Sequence, residues 1–269
     1  MTDSLDPGAA LRSLYAPEGG VRAIFSGKVA DYMASRPDYP QALLDALVLR
    51  CPPVGGTTAA DVGAGTGLLT RALLARGYRV SAIEPNPAMR EACDVVCGAF
   101  AGYRSVEGTA ESMPLAPGSI DLVTAAQAFH WFDVEAARAE CLRVLTPRGI
   151  VALVWNDRVG RDPLHVALDD VFAEFGGAKR GALLAHEDRS DVPRFFGAAC
   201  REELAWPHAH RLDGDALLCL ALSRSYMPDR SSAAGREVAS RIREIYERFQ
   251  QDGRVTVRYE TVAVMGRPA

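Results

Sequence analysis

The stretch Asp61-Val62-Gly63-Ala64-Gly65-Thr66-Gly67-Leu68-Leu69-Thr70 decides how this chain folds. The apolar run Ala59 to Val62 reads as a short buried strand, and Leu68 to Arg76 has helical apolar spacing with Gly77 as its C-cap. Three glycines at alternate positions stand between them. Without a Cβ the backbone can turn tightly and admit a ligand closely, and the helix N-terminus behind the turn offers N–H groups. A nucleotide-like ligand is expected there. The dinucleotide pattern GxGxxG would place its third glycine at 68, but this chain has Leu68, so a nicotinamide oxidoreductase is the disfavoured rival.

Working outward, Tyr78 to Ile83 reads as a second strand and completes a βαβ unit. A helix from Pro87 to Val96, strands at Tyr103 to Val106 and Ile120 to Ala126, a helix opened by Asp133 as N-cap, and the apolar run Ile150 to Trp155 continue the alternation. Near-continuous apolar strands between helices predict an α/β, doubly wound, mostly parallel sheet with helices on both faces, Rossmann-like. Upstream, Val29 to Arg50 is helical in two pieces broken by Arg36-Pro37-Asp38-Tyr39-Pro40, because proline disfavours the α conformation in its predecessor. Beyond Trp155 the order is mainly helical, with Pro163 to Phe175, Asp213 to Ser225 and Ala233 to Gln251 as candidates. Short strands near 201–205 and 254–264 complete the sheet. The expected organisation is a mobile N-terminal lid over 1–40, a cofactor-binding core over 41–158, and substrate-side helices with sheet completion over 159–269, within one domain.

Composition narrows the class. Thirty basic against 34 acidic residues give a formal charge of −4 with no basic block, so no footprint for a nucleic-acid backbone is expected. No apolar run approaches the roughly 20 residues of a membrane-spanning helix, and the polar start does not read as an export signal, so a cytoplasmic location is expected. Six scattered cysteines suit reduced, mostly buried thiols rather than a zinc site, and no metal is expected. Only Lys28 and Lys179 are lysines, and Lys179 lies in a Gly-rich stretch that reads as loop; lysine chemistry is therefore disfavoured and arginine is the cation for anion recognition.

Glu84 closes the second strand, 17 residues beyond Gly67, and a carboxylate there can accept hydrogen bonds from both ribose hydroxyls. An exposed acid at a helix start is its bland alternative. Gln127, His130, Trp131 and Phe132 follow the fourth strand, at the carboxyl edge where open α/β sheets bind ligands. His130 is the candidate general base for a hydroxyl or amine acceptor, with a structural histidine as the alternative. Arg158, Trp131, Phe132 and Tyr226 are the candidate acceptor pocket, with Asn156-Asp157-Arg158 read as a loop after the fifth strand. His208-Ala-His210 reads weakly as a metal pair, Cys93 and Cys97 as core residues one helical turn apart, and Ser223 to Tyr226 as either pocket wall or helix end.

The ordered segments DVGAGTGLLT (61–70), IEPNPAMR (83–90), EGTAESMP (107–114), SIDLVTAAQAFHWFD (119–133) and RVLTPRGIVALVWNDR (143–158) resemble class I S-adenosylmethionine-dependent methyltransferases. With YMASRPDYP (32–40), the pattern is similar to the trans-aconitate methyltransferase-like small-molecule group. The resemblance implies S-adenosyl-L-methionine as cofactor and S-adenosyl-L-homocysteine as product, with methyl transfer to an O-, N- or C-nucleophile. It implies that Gly63, Ala64 and Gly65 pass under the methionine part with Asp61 beneath. It places Glu84 and Pro85 at the ribose, Ala110 and Glu111 near the adenine, Gln127 beside the ligand, and Tyr32 and Arg36 closing over it, Arg36 on its carboxylate. The trans-aconitate likeness implies Arg158 as holder of an acidic acceptor. A non-catalytic S-adenosylmethionine-binding sensor is the alternative of another class, and the oligomeric state is not legible.

Overall fold

The computed structural model describes residues 7–18, 20, 25–185, 189–199 and 201–269. Its sheet has seven strands: β1 (Thr58–Val62), β2 (Arg79–Ile83), β3 (Tyr103–Val106), β4 (Ile120–Ala126), β5 (Leu145–Arg158), β6 (Arg201–Leu212) and β7 (Val255–Gly266). Their spatial order is β3-β2-β1-β4-β5-β7-β6, and the pairings from β3 through β5 are parallel. The chain adds β2 and β3 on one side of β1, then returns to add β4 on the other. This reversal opens a crevice at the carboxyl ends of β1 and β4, the place where sheets of this kind receive ligands.

Two compact units make up the chain. One comprises Asp38–Asn156, Asp188–Trp206 and Thr261–Ala269; the other comprises Met1–Pro37, Asp157–Glu187 and Pro207–Glu260. In the first, strand pleating sends alternate residues to opposite faces. Ala60, Val123, Val151 and Leu153 enter one core with Ala137, Cys141 and Phe195, while Ala59, Leu122, Ala152 and Val154 enter the other with Leu43, Leu47, Leu73 and Cys93. Both faces are covered, which is why the strands are apolar at nearly every position. The second unit has its own core, where Leu168 and Phe172 meet Leu217, Leu220, Val238 and Ile242.

Local chemistry sets the helix starts. Asn86 accepts from Met89 N at 3.1 Å ahead of Pro87, and Asp133 accepts from Ala136 N at 3.0 Å, so each satisfies an N–H that the helix itself leaves unpaired. The break at Arg36 to Pro40 separates the helices Val29–Ser35 and Gln41–Arg50.

Three segments differ from the expected pattern. β5 reaches Arg158, so Asn156, Asp157 and Arg158 belong to a strand, not a loop. Its early part was obscured by Pro147 and Gly149, which the ladder absorbs: Ile120 faces Leu145 while Leu122 faces Ile150. The helical segment after Pro163 extends to Leu184, broken at Gly177, so Lys179 is helical, its Nζ 4.9 Å from the Tyr15 ring centroid. Gly177, with φ 51° and ψ −144°, is not helical, so the first helix ends near the expected Phe175 and a second one follows it to Leu184. β6 continues through Pro207 to Leu212; as the terminal strand of the sheet it tolerates a residue without an N–H. Cys51, Cys93, Cys97 and Cys141 are buried free thiols and Cys219 is a partly buried one; Cys200 and part of the 1–40 segment lie outside the described residues. Among the described residues no helix is long and apolar enough to cross a membrane.

The turn that opens the helix Leu68–Ala75 separates two kinds of glycine. Gly67 has φ 86°, and a Cβ there would lie 2.7 Å from Cys93 Sγ and 3.0 Å from Cys97 Sγ; at Gly65, with φ 56°, a Cβ meets nothing within 4 Å. Urea denaturation should show Gly67→Ala losing about 2–4 kcal/mol, from left-handed strain plus overpacking, and Gly65→Ala losing only the strain, about 1–2 kcal/mol. Equal losses at the two positions would refute this distinction.

Candidate active site

The sheet register assembles the site in the first unit. Val62 lies opposite Ile83 and Asp61 opposite Thr124, so the glycine turn, Glu84 and Gln127 all emerge at one carboxyl edge. Gly63 N and Ala64 N both donate to Ile83 O, at 2.9 and 3.1 Å, which folds the turn toward the end of β2. Glu84 grips it from that side: Oε2 accepts from Gly65 N at 3.0 Å and Oε1 from Asn86 N at 2.9 Å. Each carboxylate oxygen keeps a further lone pair for a ligand hydroxyl. Glu84 is not the exposed acid of its bland alternative, since only 9% of it is exposed, and burial raises its pKa against the lowering effect of those N–H bonds.

Gly63 and Gly65 serve different ends. A Cβ on Gly63 would stand 2.6 Å from Ala128 Cβ, so its missing side chain makes room for protein; over Gly65 the turn is open, with nothing within 4 Å of where a Cβ would stand, which makes it the candidate cradle. Ala64 and Pro85 are half-buried beside it. Thr66 Oγ1 is buried without a hydrogen-bond partner among the described residues. Asp61, expected beneath the ligand, sits deeper: Oδ2 accepts from Thr70 Oγ1 at 2.6 Å and Oδ1 from Thr124 Oγ1 at 2.7 Å. Burial drives its pKa up, opposed by these hydroxyls. Its immediate work is to hold β1, β4 and the helix after the turn together.

Around this cradle, Ala110 is buried, and Glu111 Oε1 accepts from Asp133 N at 2.8 Å, which gives that carboxylate a helix-capping role. Gln127 has φ 55°, unusual for a residue with a side chain, and its Nε2 donates to Asn156 O at 3.4 Å. Such backbone strain clusters at functional sites. His130 and Trp131 are half-buried with ring centroids 4.8 Å apart. Phe132, partly buried, packs edge-on to Phe129 at 5.9 Å, and Phe129 in turn meets Trp155 and Phe195 at 6.2 and 5.3 Å.

The remaining expected residues fall in the second unit. Arg36 Cζ stacks 4.5 Å from the Tyr32 ring centroid, and Arg36 Nε and Nη2 donate to Ser223 Oγ and O at 3.1 and 3.3 Å. Its fork therefore engages the end of the helix Gly214–Leu222, which also makes Ser223 a helix-end residue. Arg158 is not a lone guanidinium: Nη1 pairs with Asp169 Oδ1 at 2.8 Å. Tyr226 is 7% exposed and packs against Phe172 at 6.1 Å, a core position. His208 stacks on Tyr259, and no cluster of metal-binding side chains occurs among the described residues. The sequence reading passed over Thr66, Arg180 and His165. Nothing in a single sequence distinguishes a threonine buried without a partner, and the Gly-rich stretch around Lys179, which reads as loop, hides Arg180.

A parallel sheet in this order, with a glycine turn after β1 and a carboxylate after β2, has the architecture of Rossmann-like class I methyltransferases. The family model described as a methyltransferase domain matches residues 60–153. The chain is 34% identical over 221 residues to an uncharacterized methyltransferase of Mycobacterium tuberculosis strain H37Rv, covering 82% of this chain and 84% of that one. It is 38% identical over 135 residues to a methyltransferase-like protein of Schizosaccharomyces pombe, covering 50% of this chain and 52% of that one. The solved structure of a type II methyltransferase from Anaeromyxobacter dehalogenans superposes with a TM-score of 0.61 at 26% identity, over 86% of this chain and 97% of that one. The chain belongs to the methyltransferase family and is a methyltransferase enzyme.

Because Asp61 binds its proton more tightly folded than unfolded, its contribution to stability falls as pH rises from the ordinary carboxylate range through the raised folded pKa, then levels. Asp61→Asn lacks this titration. Urea denaturation across pH 4 to 8 should therefore show the variant gaining on the wild type as pH rises; a constant difference would mean that Asp61 titrates normally.

Proposed function

We propose that the enzyme transfers a methyl group from S-adenosyl-L-methionine to a small-molecule acceptor, releasing S-adenosyl-L-homocysteine. The observation that carries this reading is the open cradle over Gly65 bordered by the buried Glu84 carboxylate. S-adenosyl-L-methionine, when bound, supplies a methyl already activated on a sulfonium, so the protein's task is alignment and exclusion of water. Gly65 and Ala64 would hold the amino-acid part, Glu84 and Pro85 the ribose, and the backbone at Ala110 the adenine. Gln127 would position the ligand through its strained backbone. Half-buried Trp131 offers an aromatic face, and His130 beside it would take the proton of a hydroxyl or amine acceptor.

Calorimetry with S-adenosyl-L-homocysteine tests the cradle. Glu84→Ala should weaken binding about tenfold to a hundredfold, the value of about 1.5–3 kcal/mol for hydrogen bonds to a charged group. Wild-type affinity should fall as pH drops through the raised Glu84 pKa, because the protonated carboxyl loses acceptor capacity. Unchanged affinity in Glu84→Ala, or NADH binding in preference, would overturn the reading.

A further inference from the structure

The helix Pro87–Cys97 is capped by Asn86 and carries Arg90 in its opening turn. The N–H groups that a helix start leaves unpaired give that end a partial positive charge, so a guanidinium there stands at the unfavoured end of the helix. Its partners lie on the sheet. Arg90 Nη1 donates to Glu84 O at 2.9 Å, and Nη2 donates to Glu107 Oε2 at 3.0 Å. The Arg90 side chain is 18% exposed and that of Glu107 is 67% exposed.

Glu84 and Glu107 are the residues that follow β2 and β3, next to the paired Ile83 and Val106. One planar fork thus ties the exits of two neighbouring strands at the carboxyl edge. Both anchor points are themselves held. Glu84 N donates to Val106 O at 3.1 Å. A Cβ on Gly108 would lie 2.8 Å from Pro114 Cδ and 3.1 Å from Ile83 Cγ2, so the chain leaves Glu107 through close packing. With its N–H and its carbonyl both fixed, Glu84 directs its side chain to Gly65 N and Asn86 N. An ion pair with the exposed Glu107 alone would contribute little; the contact to the Glu84 main chain is what links Arg90 to the cradle.

We propose that Arg90 is a positioning residue for Glu84: its two-point clamp on Glu84 O and Glu107 fixes where the Glu84 carboxylate meets the hydroxyls of a ligand in the cradle. The ligand rests on the proposed function above; the clamp does not. Charge acts in the same direction. Burial raises the pKa of Glu84, and of the charged groups that face it Arg90 from the helix lowers it while Asp61 from β1 raises it. Arg90 thereby favours the ionised carboxylate, which has acceptor sites for ligand hydroxyls on both oxygens.

Two measurements on the full chain test this. Carbon-13 NMR of glutamate-labelled protein, with the Glu84 carboxyl signal assigned by its loss in Glu84→Gln, reads the titration of that group without a ligand. Calorimetry with S-adenosyl-L-homocysteine across the same pH range reads it through binding. In Arg90→Gln the Glu84 midpoint should move to higher pH, and the pH below which affinity falls should rise with it. On the alkaline side of that midpoint the variant should still bind about tenfold more weakly, because its acceptor is misplaced. Arg90→Lys keeps the charge without the planar fork. Its midpoint should return close to that of the wild type while part of the affinity loss remains, and it carries the test should Arg90→Gln fail to fold. An unmoved midpoint in Arg90→Gln, an affinity loss of equal size at every pH, or full wild-type affinity in Arg90→Lys would overturn the inference. A moved midpoint in a protein whose wild type does not bind S-adenosyl-L-homocysteine would leave the hold of Arg90 on Glu84 standing and remove the cofactor reading.

Discussion

The buried Asp61 carboxylate is the interaction on which the rest of the sheet edge depends. It sits at the end of β1 and accepts one hydroxyl from Thr124 on β4 and one from Thr70 on the helix beyond the glycine turn. Three elements that diverge at the point where strand order reverses are thereby held by one side chain, 2% exposed. A buried carboxylate is costly unless its oxygens are answered, so the two threonines and the aspartate require one another. The turn above inherits that geometry. Glu84 completes it from β2 by accepting Gly65 N, so the rim of the cradle is fixed before any ligand arrives.

The two units solve their charge problems differently. In the first, buried acids are answered by neutral donors, hydroxyls at Asp61 and backbone N–H groups at Glu84, and both pKa values are raised. Such groups retain acceptor capacity suited to the neutral hydroxyls of a sugar. In the second, arginines dominate, and Asp169 and Asp162 have their pKa values lowered, by Arg158 and Arg180 in one case and by Arg258 in the other, against the effect of burial. With 28 arginines to two lysines, the chain places groups that stay protonated and donate in a planar fork where lysine would lose its charge on burial. Lys28 shows the alternative: burial brings it down to about 8, and it is spent on Leu222 O and Met227 O.

Local residue chemistry explains which features were legible. β1, the glycine turn, the Asp133 cap and the break at Arg36 to Pro40 stand in the sequence because each is decided by the residues that compose it. Glu84 was legible because its place at the end of an apolar strand leaves little choice of where it emerges. The continuation of β5 across Pro147 and Gly149 was not, since a neighbouring strand supplies the ladder that absorbs them. Nor was the second helix, which resumes after the break that Gly177 makes.

The sequence by itself determined the alternation of strands and helices, the parallel sheet and the glycine turn, because apolar period and backbone permissiveness act over a few residues. Only the tertiary structure decided what each charged or glycine position faces. Gly63 makes room for Ala128 while Gly65 opens on space, and Arg36 turns to Ser223. Arg158 shares Asp169 with Arg180, 22 residues further along the chain, and Asp61 meets Thr124 from 63 residues away. Those partners are brought together by sheet register and helix packing, which no local window of sequence contains.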